Sequence, residues 1–199
     1  MNIGIIDYGM GNLKSVSNAL KYIGAASFIS SDIKELAKAD KLILPGVGAF
    51  CDAISLIREK KIDNFLNEIH EKNVPLLGIC LGMQLLFDSS NEFGEHKGLG
   101  LLNGDIVKFE TDLKIPHMGW NELLIKKPEP LFKDLPEKSY VYFVHSYHLQ
   151  TDADIVSATT IYDKEIQIAA QQKNTFALQF HPEKSGDIGL QILKNFKEL

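Results

Sequence analysis

Val74-Pro75-Leu76-Leu77-Gly78-Ile79-Cys80-Leu81-Gly82-Met83-Gln84-Leu85-Leu86-Phe87 is the stretch that decides the fold of this chain. Val74 to Ile79 is a continuous apolar run of strand length, as expected of a strand buried on both faces, and Met83 to Phe87 continues in a helical pattern. A strand that passes directly into a helix, with one residue held between two glycines at the junction, belongs to alternating α/β architecture.

The flanking sequence repeats the alternation. Asn2 to Ile6 reads as a buried strand ending at Asp7-Tyr8-Gly9, and Leu13, Val16, Leu20 and Ile23 form one apolar helical stripe with Gly24 as its stop. Asp32 with Glu35 predicts a capping box before a short helix to Ala39, followed by an inner strand at Lys41 to Leu44 that ends in Pro45-Gly46-Val47-Gly48. Ile54, Ile57, Phe65, Leu66 and Ile69 mark helical material ahead of the third inner strand. After about residue 88 the texture changes. Asn91 to Gly104 holds four glycines and reads as loop. Asp105 to Phe109, Tyr140 to Tyr147, Asp154 to Ile161, Gln167 to Gln171 and Phe176 to Phe180 read as strands in quick succession, some antiparallel, before a closing amphipathic helix through Ile188, Ile192, Phe196 and Leu199. The expectation is one domain over residues 1–199: an open mixed, mainly parallel sheet with helices on both faces, plus antiparallel strands in the C-terminal half.

Composition narrows the function classes. With 199 residues, 45% hydrophobic and 24% charged, the chain can bury a substantial core, and a net charge of −5 lacks the basic footprint of a nucleic-acid binder. The longest apolar stretch is broken by glycines and falls short of a bilayer span, and the first residues lack the basic start of a secretory signal, so a cytoplasmic protein is expected. Two cysteines do not make a disulfide framework, which leaves free thiols.

One thiol has a chemical setting. Gly78-Ile79-Cys80-Leu81-Gly82 has the Gly-x-nucleophile-x-Gly form of a strained strand-to-helix turn, where larger neighbours would collide. A helix start favours the thiolate, and the Leu81 amide is a candidate oxyanion donor. The competing reading is a buried thiol acting as a small hydrophobe. Cys51, between Phe50 and Asp52, has no such setting and reads as structural. A nucleophilic sulfur needs a base and the base needs an orienting group; His181-Pro182-Glu183 offers both, because in extended chain residues i and i+2 project to one side. The apolar run before it places this motif at the end of an inner strand, where sites of open α/β sheets gather; a solvated surface turn is the alternative. Gly46, Val47 and Gly48 permit peptide conformations closed to other residues and are candidates for the second half of an oxyanion hole, with an ordinary strand-end turn as the rival reading.

The remaining motifs carry less. His145 and His148, three apart in an expected strand, would face opposite ways, so no shared metal is expected. His70 and His96 read as solvated. Gly9-Met10-Gly11 fails as a dinucleotide loop, because Lys14 stands where a third glycine belongs, and no cofactor motif occurs. Met118 and Trp120 flank Gly119 in a loop-like segment, and tryptophan is enriched where proteins bury against one another. A core position is the alternative for Trp120.

Taken together, Gly78 to Gln84, His181-Pro182-Glu183 and Pro45-Gly46-Val47-Gly48 resemble the class I, triad-type glutamine amidotransferases. Within that family, Asp7-Tyr8-Gly9-Met10-Gly11-Asn12-Leu13, Pro116-His117-Met118-Gly119-Trp120-Asn121 and Tyr142-Phe143-Val144-His145-Ser146-Tyr147 are similar to stretches that mark glutaminase subunits of imidazole glycerol phosphate synthase. The resemblance extends over the whole chain. It implies a flavodoxin-like fold, no cofactor, and hydrolysis of glutamine to glutamate and ammonia through a cysteine thioester. It also implies a heterodimer in which the ammonia is channelled to a (β/α)8 cyclase subunit, which makes imidazole glycerol phosphate and aminoimidazole carboxamide ribotide in histidine biosynthesis. Cys80 would be the nucleophile, His181 the proton carrier and Glu183 its orienting group. Leu81 and Gly46-Val47-Gly48 would hold the oxyanion, and Gln84, Ser146 and Tyr147 would contact glutamine. Cys51, where glycine is common, and Asn103-Gly104, where a proline-glycine turn is common, depart from the family pattern at its periphery.

Two other readings compete. A stand-alone cysteine hydrolase or peptidase on a flavodoxin-like sheet would use a similar elbow and act without a partner. A non-catalytic paralogue would have lost part of the triad, whereas all three residues are present.

Overall fold

The computed structural model describes residues 2–128 and 130–199. β1 (Asn2–Ile6) is buried from its second residue onward. α1 (Leu13–Tyr22) buries Val16, Ala19 and Leu20, and Gly24 follows it in the left-handed region at φ 66, the stop expected of it. β2 (Ala26–Ser30), which the sequence pattern does not announce, pairs in parallel with β1. α2 (Ile33–Leu36) is a single turn, shorter than the expected helix to Ala39. Asp32 caps it by accepting from the Lys34 amide at 2.8 Å, but the capping box is not closed by Glu35. That carboxylate accepts from Ser30 Oγ at 2.6 Å, and Ser30 Oγ in turn accepts from the Asp32 amide at 3.0 Å.

β3 (Lys41–Gly46) is buried along its whole length and runs through Pro45 and Gly46, beyond the expected end. α3 (Phe50–Glu59) and α4 (Ile62–Glu71) are separate helices, broken where Lys61 turns to φ 58. β4 (Leu76–Cys80) then passes straight into α5 (Leu81–Leu85).

In the second half, β5 (Ser89–Ser90) and β6 (His96–Lys97) make a short antiparallel pair, and β6 lies inside the stretch from Asn91 to Gly104 expected to be loop. There follow β7 (Asp105–Lys108), β8 (His117–Glu122), β9 (Leu124–Ile125), β10 (Tyr140–His145), β11 (Tyr147–Gln150), β12 (Val156–Tyr162), β13 (Lys164–Gln172), β14 (Thr175–Leu178) and α6 (Gly186–Glu198). Two expectations are corrected here. Tyr140 to Tyr147 is not one strand: the chain leaves one sheet at His145 and enters another at Tyr147, with Ser146 at the break. The segment around Met118 and Trp120 is strand rather than loop, since β8 pairs antiparallel with β10 from Glu122↔Tyr140 to His117↔His145.

The larger sheet runs β2-β1-β3-β4-β14 in parallel, then β13, β11 and β7 antiparallel, with β5 and β6 beyond. Its parallel part has flavodoxin-like order. Side chains alternate across it, so each face has its own core. Ile3, Ile5, Ile43 and Ile79 pack with α1 and α6 residues such as Leu20 and Phe196. Ile6, Leu42, Leu44 and Leu76 pack with α3 and α4 residues such as Ile57 and Leu66. Burial on both faces is why the strands read as unbroken apolar runs. Among the described residues, no helix is long and apolar enough to cross a membrane.

The junction of β4 and α5 is the tightest place in the fold. A Cβ on Gly82 would lie 1.8 Å from the Leu44 carbonyl oxygen, and one on Gly78 would lie 2.8 Å from Met83 Cα. Backbone cannot move aside cheaply. Gly82→Ala is therefore expected to cost about 3 kcal/mol or more, read as a fall in the urea unfolding midpoint. Gly24→Ala, with nothing within 4 Å of the added Cβ, should lose only the roughly 1 kcal/mol of a left-handed backbone. Equal losses at the two sites would contradict this account of the junction.

Candidate active site

Cys80 closes β4 and caps α5 with φ 55 and ψ −113, a conformation that a residue with a side chain adopts at a cost of about 1–3 kcal/mol. The strain lifts the sulfur out of the sheet at the carboxyl ends of the parallel strands. Register sets its neighbours: Gly46 at the end of β3 lies opposite Cys80, and Gly48 follows at φ 104. α5 has five residues, so the helix field at the sulfur is little more than that of a single turn.

His181 follows β14, the strand on the other side of β4. Its amide donates to the Tyr142 carbonyl at 3.0 Å, and its carbonyl accepts from Ser185 Oγ at 2.6 Å, which fixes the backbone at both ends. Glu183 lies in a 3-10 turn rather than in extended chain, yet its carboxylate meets the ring as expected: Nδ1 of His181 donates to Glu183 Oε1 at 2.8 Å. The two side chains are 2% and 1% exposed. Burial alone would lower the imidazole pKa. The Cys80 sulfur and the Glu183 carboxylate outweigh it and raise the value to about 9, a shift that favours the charged form of the ring.

A cavity of about 300 Å3 gathers Cys80, Leu81, Gln84 and His181 with Val47 and Gly48 on one side and Ser146 and Tyr147 on another. Gly46 stands just behind, where an added Cβ would touch Leu81 Cβ at 2.9 Å and the Tyr8 hydroxyl at 2.6 Å. The structure thus brings together the residues singled out around the thiol, although about a hundred positions separate Cys80 from His181. Glu92, also on the cavity wall, was not anticipated; its Oε2 accepts from the Phe50 amide at 2.6 Å. An isolated carboxylate in a glycine-rich stretch gives no sequence signal. Tyr8 was not anticipated either: its hydroxyl is buried without a partner, and burial, reinforced by the Cys80 sulfur, raises its pKa above the ordinary tyrosine value.

The histidines depart from expectation. His145 and His148 do not share a strand; both rings pack on Phe109, with centroids 5.0 and 4.9 Å away. His117 Nδ1 and His145 Nε2 are 2.9 Å apart in the interior, and His145 Nδ1 donates to the Tyr147 carbonyl at 2.8 Å. Burial lowers their pKa values to about 4 and about 3. His70 is half-buried, not solvated, with Nδ1 2.8 Å from Thr175 Oγ1; His96 is half-buried in β6. Cys51 lies half-buried at the start of α3, away from the cavity. Met118 and Trp120 sit on the outer face of β8 and are 59% and 54% exposed, which removes the core reading of Trp120.

A sulfur and an imidazole on one pocket, at the strand ends of an open α/β sheet, with a buried carboxylate holding the far side of the imidazole, make up the equipment for acyl transfer through a thioester. The family model of class-I glutamine amidotransferase matches residues 4–199, and the chain belongs to that family. It is 51% identical over 195 residues to the imidazole glycerol phosphate synthase subunit HisH of Bacillus cereus, covering 98% of this chain and 93% of that one. It is 50% identical over 203 residues to the subunit of the same name from Shouchella clausii, covering 99% and 98%. Among solved structures, PurLQS from Thermotoga maritima superposes with a TM-score of 0.79 at 20% identity over 98% of this chain and 96% of that one. A crystal structure of a glutamine amidotransferase does so with 0.77, also at 20% identity, over 98% of each chain. These two show the shared fold.

The buried histidine pair generates a pH prediction. Both rings are neutral when folded and take protons near pH 6.5 when unfolded, so the unfolded chain binds more protons as pH falls from 6.5 towards 4. Stability should therefore fall through that window, by on the order of a few kcal/mol at pH 4. Urea midpoints at pH 7 and pH 4.5 check it, and equal midpoints contradict it.

Proposed function

We propose that the chain is the glutaminase subunit of an imidazole glycerol phosphate synthase, releasing ammonia from glutamine for a cyclase subunit that uses it in histidine biosynthesis. The observation that carries the reading is the convergence of Cys80 and His181 on a cavity walled by Val47, Gly48 and Leu81, with Glu183 hydrogen-bonded to the ring from behind. Identity of about one half over nearly the full length of curated subunits supports the same assignment.

The steps follow from the geometry. The Cys80 thiolate attacks the side-chain carbonyl carbon of glutamine; a C–S bond forms and the carbonyl π pair moves to oxygen. The Leu81 amide and the backbone at Gly46, Val47 and Gly48 stabilise that oxyanion. His181, poised as imidazolium, gives its proton to the amide nitrogen, the C–N bond breaks, and ammonia leaves a thioester on Cys80. His181, now neutral, takes a proton from water as the water oxygen attacks the thioester. The C–S bond breaks, glutamate departs, and thiolate and imidazolium are restored. Glu183 holds the ring throughout and stabilises its charged form. Gln84, Ser146 and Tyr147 contact the substrate. Glu92 supplies a carboxylate of the right sign for its α-ammonium group.

Ammonia released to neutral water is captured as ammonium, which has no lone pair for attack, so the product must pass under cover to the partner. The outer face of the β8–β10 ribbon is suited to seal such a joint. Met118 opposes Val144, Trp120 opposes Tyr142, and Lys184 Nζ lies 5.9 Å from the Tyr142 ring centroid. Tryptophan, tyrosine and methionine side by side on this face are residue types enriched in interface cores, and the lysine beside them suits the rim. A stand-alone hydrolase or peptidase would leave this face without a use.

In assays of glutamate release, the chain with its cyclase and the cyclase's nucleotide ligand should turn over glutamine. Alone it should be a poor glutaminase, because glycines around Val47 let the oxyanion amide point away until the partner biases it inward. Cys80→Ala should abolish activity by about 10^4-fold or more. Full activity of the lone chain contradicts the coupling, and activity in the alanine variant contradicts the nucleophile. Trp120→Ala should weaken heterodimer affinity by roughly 10-fold or more in a titration against the cyclase, and unchanged affinity would remove the ribbon from the interface.

A further inference from the structure

Gln179 is fully buried between Leu178 and Phe180, an uncharged polar side chain inside an apolar run. Its amide makes two contacts: Oε1 accepts from Gln84 Nε2 at 3.0 Å, and Nε2 donates to Cys80 Sγ at 3.8 Å. The two ends cannot be exchanged. The Tyr147 carbonyl can only accept, and it takes His145 Nδ1 at 2.8 Å and Gln84 Nε2 at 3.4 Å. Gln84 therefore turns its NH2 group inward, and its second N–H requires an oxygen from Gln179. The Gln179 nitrogen is left for the sulfur. The same directional logic runs on to the ribbon, since His145 Nε2 accepts from His117 Nδ1 at 2.9 Å and His117 Nε2 from Asn121 Nδ2 at 3.3 Å.

We propose that Gln179 is a hydrogen-bond donor to the reacting sulfur and that, through the same amide, it sets Gln84 with its oxygen towards the pocket. The second half of this statement rests on the glutaminase reading; the first does not. Cys80 then has a different partner for each protonation state. As a thiol it donates towards the Val144 carbonyl, 4.0 Å away, and as a thiolate it accepts from Gln179. The donor stabilises negative sulfur twice in a turnover: before attack, and when the C–S bond of the thioester breaks and its electron pair returns to sulfur. With both N–H groups of Gln84 engaged inside, only its oxygen remains for substrate, so it recognises an N–H donor of glutamine.

The groups facing the sulfur are His181 after β14 and the Tyr8 hydroxyl at the end of β1, with Glu92, His145 and Tyr147 around the cavity and Glu183 acting through His181. The test isolates Gln179 from these. In the chain carrying Cys51→Ala, so that Cys80 is the reacting thiol, the rate of alkylation by iodoacetamide is followed against pH for Gln179→Met and for Gln179→Leu, neither of which adds a charge beside the sulfur. Folding of each variant is checked by its urea midpoint, and either folded variant suffices. The alkylation midpoint should move up by about one pH unit, and kcat with the cyclase should fall about tenfold. Gln84→Met keeps the sulfur donor, so it should leave the alkylation midpoint in place and raise KM for glutamine about tenfold. An unchanged midpoint in a folded Gln179 variant overturns the proposal, as does an upward shift in Gln84→Met equal to that in Gln179→Met. If the complex releases no glutamate while the Gln179 midpoint moves, the donor role stands and the glutaminase reading alone falls.

Discussion

The backbone at Cys80 is held where a side-chain-bearing residue does not sit by choice, and the arrangement of the molecule follows from how that strain is sustained. β4 is flanked in register by β3 and β14, with Gly46 opposite Cys80 and Leu178 opposite Ile79, and all five of its residues are buried. The turn closes only because Gly82 lets α5 press against the Leu44 carbonyl. A strained residue persists where its surroundings over-determine it, and here two buried strands and a helix start do so. The cost, about 1–3 kcal/mol, is small beside the apolar burial of the sheet, and the result is a sulfur presented at a fixed point in a cavity shared with Val47, Gly48 and Leu81.

The C-terminal half of the chain supplies what the sulfur needs by returning to β4. β14 docks in parallel beside it, so the residues just past Leu178 arrive next to Cys80 by register rather than by loop chance. The His181 amide is anchored on the Tyr142 carbonyl, which binds the imidazole to the β8–β10 ribbon. One face of that ribbon is apolar and exposed, at Met118 and Trp120; the other carries His117, Phe143 and His145 into the interior, with the His117 ring stacked on Phe143 and Tyr162. Surface and pocket are thus two sides of the same pair of strands.

Much of this was legible in the sequence where local chemistry decides structure. The glycines around Cys80, the left-handed stop at Gly24 and the apolar runs of β1, β3 and β4 each announce themselves, because backbone geometry or two-sided burial permits few alternatives. What was not legible depends on pairing between distant segments. β2 is partly exposed, and its two large apolar residues, Phe28 and Ile29, are adjacent with serines on either side, so no continuous apolar run in Ala26 to Ser30 demands a sheet. β8 carries Gly119 at φ 133 and one solvent-facing side, which erases the usual strand pattern. No breaker residue marks Ser146, where the chain changes sheets. Glu92 and Tyr8 reach the cavity region only through tertiary folding. Gln179 did leave a trace: a lone amide in an otherwise apolar strand end asks for buried partners, and it has two, Gln84 and the Cys80 sulfur.

The central claim is that sulfur, imidazole and carboxylate act as one group on the side chain of glutamine. The most direct measurement is acid quenching of the chain with its cyclase during glutamine turnover, followed by mass spectrometry of the peptides. A γ-glutamyl thioester on the peptide carrying Cys80, and none on the peptide carrying Cys51, is the result this account predicts. Glutamate formed with no adduct on Cys80, either in the unaltered chain or in a His181 variant in which hydrolysis of the thioester is slowed, would contradict it.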